Sequence, residues 1–244
     1  MFTAEYRDGV RRKLLEMAKA DPRIESAAAV GGSAGGEKDR WSDLDLTFGV
    51  SRGSVDQVLA DWSARIRTQY GAVTLFDLAR GSSIYRVFLL PGSLQVDLSF
   101  TPAEEFGASG PRFELLFGNA TPRPHATAPS AHEEYGLAAH HAVRAKLCIE
   151  RGRLWQAVYW ITQLRDHALT LATLRFGLDP YYGRGFDALP RDIRELAQHA
   201  LVRTLEREEL SRALRAATQL LLHEGRSVHE DEEVIAAMLR ELNL

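Results

Sequence analysis

The sequence predicts an α+β chain in two parts: a mixed or antiparallel sheet with flanking helices, then an all-α helical bundle. Three observations predict it. Residues 1–106 combine extended runs of polar–apolar alternation with two amphipathic helical stretches. From about residue 130 the strand signals vanish. Five consecutive helical stretches with short loops then fill 130–244, the pattern of a bundle. Residues 107–129 read as a connecting segment between the two.

Phe2, Tyr6, Val10, Leu14 and Met17 recur at helical spacing and predict a helix over about 3–20, stopped by Asp21 and Pro22. Residues 24–30 read as a first strand, followed by a glycine-rich loop from Gly31 to Gly36. Backbone N–H groups in such a loop can approach phosphate oxygens without side-chain obstruction. Val55, Val58, Leu59, Trp62 and Ile66 mark a second helix, closed by Gly71. Residues 72–78 and 83–90 read as strands, and Pro91, Gly92 and Ser93 as a turn before a strand over 94–100. Beyond it, 101–130 is rich in Pro and Gly and has little periodicity apart from 113–117.

Two of these strands carry regularly phased carboxylates. From Asp43 to Val50, Asp43, Asp45 and Thr47 share one face, and Leu44, Leu46, Phe48 and Val50 the other. Residues two apart on one strand face lie roughly 6–7 Å from each other. That spacing suits a pair of divalent cations about 3.5–4 Å apart. Like charges held so close call for a counter-charge. In 94–100, Gln95, Asp97 and Ser99 share the polar face, which phases Asp97 like Asp43 and Asp45. Asp77 is a rival for a third carboxylate, although its strand gives it no polar companions.

The run Gly32-Ser33, nine residues, then Asp43-Leu44-Asp45-Leu46, approached through Trp41-Ser42, resembles the signature of the nucleotidyltransferase superfamily that includes DNA polymerase beta. The resemblance implies that Gly32 and Ser33 hold the terminal phosphates of a nucleotide. Lys38 and Arg40 are then either charge partners of those phosphates or solvated. It also implies that Asp43, Asp45 and Asp97 are catalytic and bind two Mg²⁺ ions, with Asp97 helping to deprotonate the attacking hydroxyl. ATP or another nucleoside triphosphate is the implied substrate. Hard oxygen ligands suit Mg²⁺ over zinc.

Composition narrows the acceptor. A net charge of −3 lacks the basic face expected for a nucleic-acid partner, which favours a small molecule. One cysteine, Cys148, excludes an intramolecular disulfide. The N-terminus lacks signal-peptide order, and no apolar run approaches membrane-spanning length. These readings point to a cytoplasmic protein with no membrane partner, monomeric or homodimeric.

In the helical half, 130–151 and 153–176 read as helices ending at Gly152 and Gly177. Along the second, Trp155, Val158, Tyr159, Thr162, Arg165, Leu169 and Ala172 align on one face. A loop spans 181–187, Pro190 opens a third helix, and two more follow at about 206–224 and 229–243. Arg144 and Lys146 are candidates for phosphates, and Glu133, Glu134 and Asp166 for a cationic acceptor, against salt bridges or solvation for each. His140, His141 and His167 lack zinc-ligand spacing.

A strand-rich half followed by a helical bundle resembles bacterial small-molecule nucleotidyltransferases that modify aminoglycoside and lincosamide antibiotics; segment 155–169 is similar to the long helix of their C-terminal domains. The resemblance implies transfer of a nucleoside monophosphate to an acceptor hydroxyl held between the two halves, with release of pyrophosphate and an association with antibiotic resistance. Transfer to a protein hydroxyl, and a non-catalytic nucleotide-sensing or antitoxin-type role, are the alternatives.

Overall fold

The computed structural model describes residues 1–31, 40–108, 110, 112–123, 127–226 and 228–241. The chain divides into two compact units, Met1–Ala126 and Thr127–Leu244.

The first unit begins with α1, Ala4–Ala20. The Thr3 hydroxyl caps its start by accepting from the Tyr6 N–H. Asp21 ends it, its N–H donating back to Met17 and Ala18 carbonyls. Strands β1 (Ile24–Val30) and β2 (Leu44–Val50) follow, then α2 (Val55–Tyr70), closed by Gly71 at φ 63°. Strands β3 (Val73–Arg80), β4 (Ser83–Leu90), β5 (Leu94–Pro102) and β6 (Phe113–Phe117) complete a six-stranded sheet of order β3-β4-β5-β2-β1-β6. β2 and β5 pair in parallel; the other neighbours are antiparallel. The sheet is therefore mixed.

The predicted strand phases hold. Leu44, Leu46, Phe48 and Val50 of β2 and Leu94, Val96, Leu98 and Phe100 of β5 are all buried in one core with Val10 and Leu14 of α1 and Trp62 and Ile66 of α2. At its centre Phe48, Trp62 and Phe100 meet with ring centroids 4.8–5.5 Å apart. The Trp62 indole N–H donates to the Asp21 carboxylate at 3.1 Å, and Arg23 holds the same carboxylate from the other side. The opposite faces of β2 and β5 are thereby left for polar side chains.

One element departs from the sequence reading. The stretch 107–129, read as a connection, contains β6, which pairs with β1 as a sheet edge. The periodicity of 113–117 is five residues long, too short on its own to mark a strand; the pairing comes from a partner more than 80 positions earlier, Ala27 facing Phe117.

The second unit is helical: α3 (Ala131–Glu150), α4 (Leu154–Arg175), α5 (Arg191–His199), α6 (Arg207–Glu224) and α7 (Glu232–Glu241). Ser130 caps α3 by accepting from Glu133 N–H. Alanines 138, 142 and 145 of α3, 157 and 168 of α4, and 213 and 217 of α6 are buried in its core, where small side chains permit close helix approach. The buried stripe of α4 runs through Ala157, Ile161, Leu164 and Ala168. The face aligned from sequence differs: Trp155 and Tyr159 are 77% and 55% exposed. That helix is rich in apolar residues on several sides, so periodicity underdetermines its inward face. Among the described residues no helix is long and apolar enough to cross a membrane.

Candidate metal centre

β2 and β5 lie side by side with Asp45 opposite Asp97 and Thr47 opposite Ser99. Asp43 precedes β2 by one residue, so the two-residue repeat returns its carboxylate toward that of Asp45. The outcome is a convergence of Asp43, Asp45 and Asp97, each half-buried, with one carboxylate oxygen from each lying within 4.8 Å of the others. Among the described residues no other three His, Cys, Asp or Glu side chains come together in this way.

The surrounding contacts hold the carboxylates in place. Asp97 accepts one hydrogen bond, from Gln95 Nε2 at 3.2 Å. Its other oxygen, Oδ1, is buried without a hydrogen-bond partner among the described residues. Burial pushes the Asp97 carboxyl above its ordinary pKa; the Gln95 hydrogen bond opposes this and the Asp43 charge reinforces it. Further along the same face, Ser99 donates to Thr47 at 2.7 Å, and Ser83 and Thr101 share a hydrogen bond of 2.7 Å. Buried hydroxyl pairs thus satisfy the face where no carboxylate stands.

Gly31 closes the site from the β1 side. Its φ of +58° is left-handed, and a Cβ there would lie 2.8 Å from Asp45 Oδ2. Only glycine combines that backbone with that approach. At the entry to β2, the buried Arg7 of α1 donates to the Ser42 carbonyl at 3.4 Å. The Arg40 guanidinium lies over the Trp41 ring, 4.1 Å from its centroid.

An orphaned buried carboxylate oxygen beside two further carboxylates fits a hard divalent cation, which supplies the missing partner and the missing positive charge. These three residues could hold a metal.

No family model matches the chain, and no curated protein matches it. Among solved structures, the chain is similar to the crystal structure of an aminoglycoside 6-adenyltransferase from Bacillus subtilis, at a TM-score of 0.41 and 14% identity, over 94% of this chain and 95% of that one. The likeness is distant.

The structure brings together all three carboxylates picked out by strand phase. Gly32, Ser33 and Lys38, expected to hold a nucleotide, lie outside the described residues. Asp77, the rival third carboxylate, is engaged elsewhere, gripped by both arms of Arg86 (2.6 Å from Nε to Oδ1). Gly31 and Gln95 shape the site without having been singled out for it. The polar phase of β5 carried the signal for Gln95, and the start of the glycine loop carried that for Gly31.

In the helical unit, most of the candidates form local pairs. Lys146 bridges Glu150 at 3.0 Å, Arg165 bridges Asp166 at 2.7 Å, and Glu134 meets His167 Nδ1 at 2.5 Å. Arg144 lies over the Trp160 ring. His141 is buried, and burial, with the neighbouring His167 and His140, lowers its pKa to about 4.

Proposed function

We propose that the chain is a Mg²⁺-dependent nucleotidyltransferase that moves a nucleoside monophosphate, AMP from ATP, to a hydroxyl of a small molecule. The observation that carries this reading is the convergence of Asp43, Asp45 and Asp97 on one sheet face, with a buried oxygen of Asp97 unpartnered. Three carboxylates on neighbouring strands are what a reaction between a polyanionic triphosphate and a hydroxyl needs, because they recruit positive charge to both reacting oxygens.

In this reading Asp43, Asp45 and Asp97 would together hold two magnesium ions. The bound magnesium supplies charge that neutralises the triphosphate and acidifies the acceptor hydroxyl. Asp97, half-buried and with its ordinary pKa raised, receives the hydroxyl proton. The acceptor oxygen forms a bond to the α-phosphorus as the bond to pyrophosphate breaks. Gly31, lacking a side chain, leaves Asp45 the room its carboxylate occupies. Gly32, Ser33 and Lys38 are the proposed phosphate contacts. The balanced overall charge supports a small acceptor over a nucleic acid, and the sequence resemblance nominates amine-bearing antibiotics as the first class to try.

The test is pyrophosphate release from ATP and Mg²⁺ against pooled aminoglycosides, lincosamides and hydroxyl-bearing metabolites, with Asp45→Asn alongside. Acceptor-dependent release lost in Asp45→Asn supports the reading. ATP binding without release from any pool would replace it with protein modification or nucleotide sensing. No ATP binding at all would remove the assignment.

A further inference from the structure

The helical unit contains an open groove of about 560 Å³ that shares no residue with the carboxylate cluster. Its size falls within the roughly 300–1,000 Å³ typical of small-molecule sites. Leu169 of α4, Phe186 and Leu201 give it apolar lining, and Asp187 of the preceding loop and Arg194 of α5 line it as well.

The charges of these two residues are not spent on each other. Among the described residues the Asp187 carboxylate has no hydrogen-bond or ion-pair partner, and the Arg194 side chain makes a single hydrogen bond, from Nε to the Leu189 carbonyl at 2.9 Å. That bond fixes the guanidinium plane and leaves both terminal nitrogens as a free fork. The groove's other charged pair, Arg165 and Asp166, is internally neutralised at 2.7 Å. What remains is one carboxylate and one guanidinium, separated, above an apolar surface.

The loop that carries Asp187 is held in an uncommon conformation. Tyr182, at the groove rim, has φ 56° and is 84% exposed. A left-handed tyrosine is unfavourable and persists only when neighbours impose it. Here the Tyr181 hydroxyl donates to the Thr127 carbonyl at 2.8 Å and its N–H to Asp179 at 3.0 Å. Gly185 packs so tightly that a Cβ would meet the Asp179 carbonyl at 2.6 Å.

We propose that this groove binds a small zwitterion of amino-acid type, its carboxylate on the Arg194 fork, its ammonium on Asp187 and its apolar side chain on Leu169, Phe186 and Leu201. A bidentate guanidinium–carboxylate pair and a carboxylate–ammonium pair satisfy both free charges at once. A simple anion or a simple cation would leave one of them unmatched. The site is a ligand site additional to the carboxylate cluster, and it stands whether or not that cluster transfers nucleotides.

Calorimetric titration of the full chain with L-phenylalanine, N-acetyl-L-phenylalanine and L-phenylalanine amide tests it. L-Phenylalanine binds; each cap removes one charge and weakens binding about tenfold, as loss of one charge-assisted hydrogen bond does. Asp187→Asn lowers affinity for L-phenylalanine to that of its N-acetyl form and leaves the N-acetyl form unaffected. Arg194→Lys, which keeps the charge but not the fork, selectively weakens the two carboxylate-bearing probes. Equal binding of all three probes, no binding of any, or an Asp187→Asn chain that binds L-phenylalanine like the parent would overturn the proposal.

Discussion

Gly31, just past β1, leaves no room for a side chain beside Asp45: a methyl group on residue 31 would stand 2.8 Å from Asp45 Oδ2. Gly31→Ala therefore carries two penalties, a left-handed backbone costing about 1 kcal/mol for a residue with a Cβ and a displaced carboxylate. We expect stability to fall by about 1–2 kcal/mol in urea unfolding. Mn²⁺ titration of the same variant should show weakened metal binding. An unchanged Mn²⁺ affinity would mean that Asp45 is not held by this contact.

Removing the charge of Asp97 should act in opposite directions with and without metal. Asp97→Asn relieves a buried carboxylate beside like charge, so the metal-free variant should be about 1 kcal/mol more stable than the parent. Mg²⁺ at 100 times its dissociation constant should add about 2.7 kcal/mol to the parent and much less to the variant. Thermal and urea unfolding with and without Mg²⁺ separate the two effects. Equal Mg²⁺ stabilisation of both chains would take Asp97 out of the metal site.

Asp21 anchors the first unit's aromatic core. Its carboxylate, with a side chain 4% exposed, accepts from Arg23 and from the Trp62 indole, and the Arg23 hydrogen bonds hold its pKa far below the ordinary value. Asp21→Ala leaves a buried N–H unpaired and should cost about 3 kcal/mol at pH 7. A depressed carboxylate contributes its full stabilisation above the unfolded pKa and loses it as pH falls toward the folded value. The gap between parent and variant should therefore be constant above about pH 5 and narrow below about pH 4. A gap independent of pH down to 2 would assign the stabilisation to packing alone.

His141 imposes the opposite kind of constraint on the helical unit. Burial first, then the charges of His167 and His140, lower its pKa to about 4, and its Nδ1 is buried without a hydrogen-bond partner. The unfolded chain takes up this proton near pH 6.5 and the folded chain only near 4, so protons favour unfolding across that window. Stability should fall by about 3 kcal/mol between pH 6.5 and 4 on this account. His141→Phe should flatten that slope and be close to neutral at pH 7. The His167–Glu134 pair remains in the variant as an internal control.

Much of this architecture was legible because the signals were local. A strand's two-residue period phased Asp43, Asp45 and Asp97 correctly, and the alternate positions did become the core shared with Trp62 and Phe100. Gly71, Gly152 and Gly177 all adopt positive φ where helix ends were expected. What was not legible depends on distant partners. β6 exists because β1 offers it an edge, and no pattern within 113–117 encodes that. The alignment of Trp155 and Tyr159 on one face of α4 does not say which face turns inward: both are exposed, whereas small Ala157 and Ala168 lie in the core. The engagement of Asp77 by Arg86 similarly needed the β3–β4 register, in which the two residues stand opposite each other.

The parallel seam between β2 and β5 has a consequence for how the three carboxylates come together. Asp45 and Asp97 come from stretches 52 positions apart and become neighbours only where β5 pairs with β2, with α2 and the β3–β4 hairpin lying between them in sequence. Without that pairing the sequence alone offers one close acidic pair, Asp43 and Asp45; with it there are three converging carboxylates. Convergence of the three carboxylates is thus a property of the paired strands, and a divalent cation held there would favour the folded sheet over the separated strands.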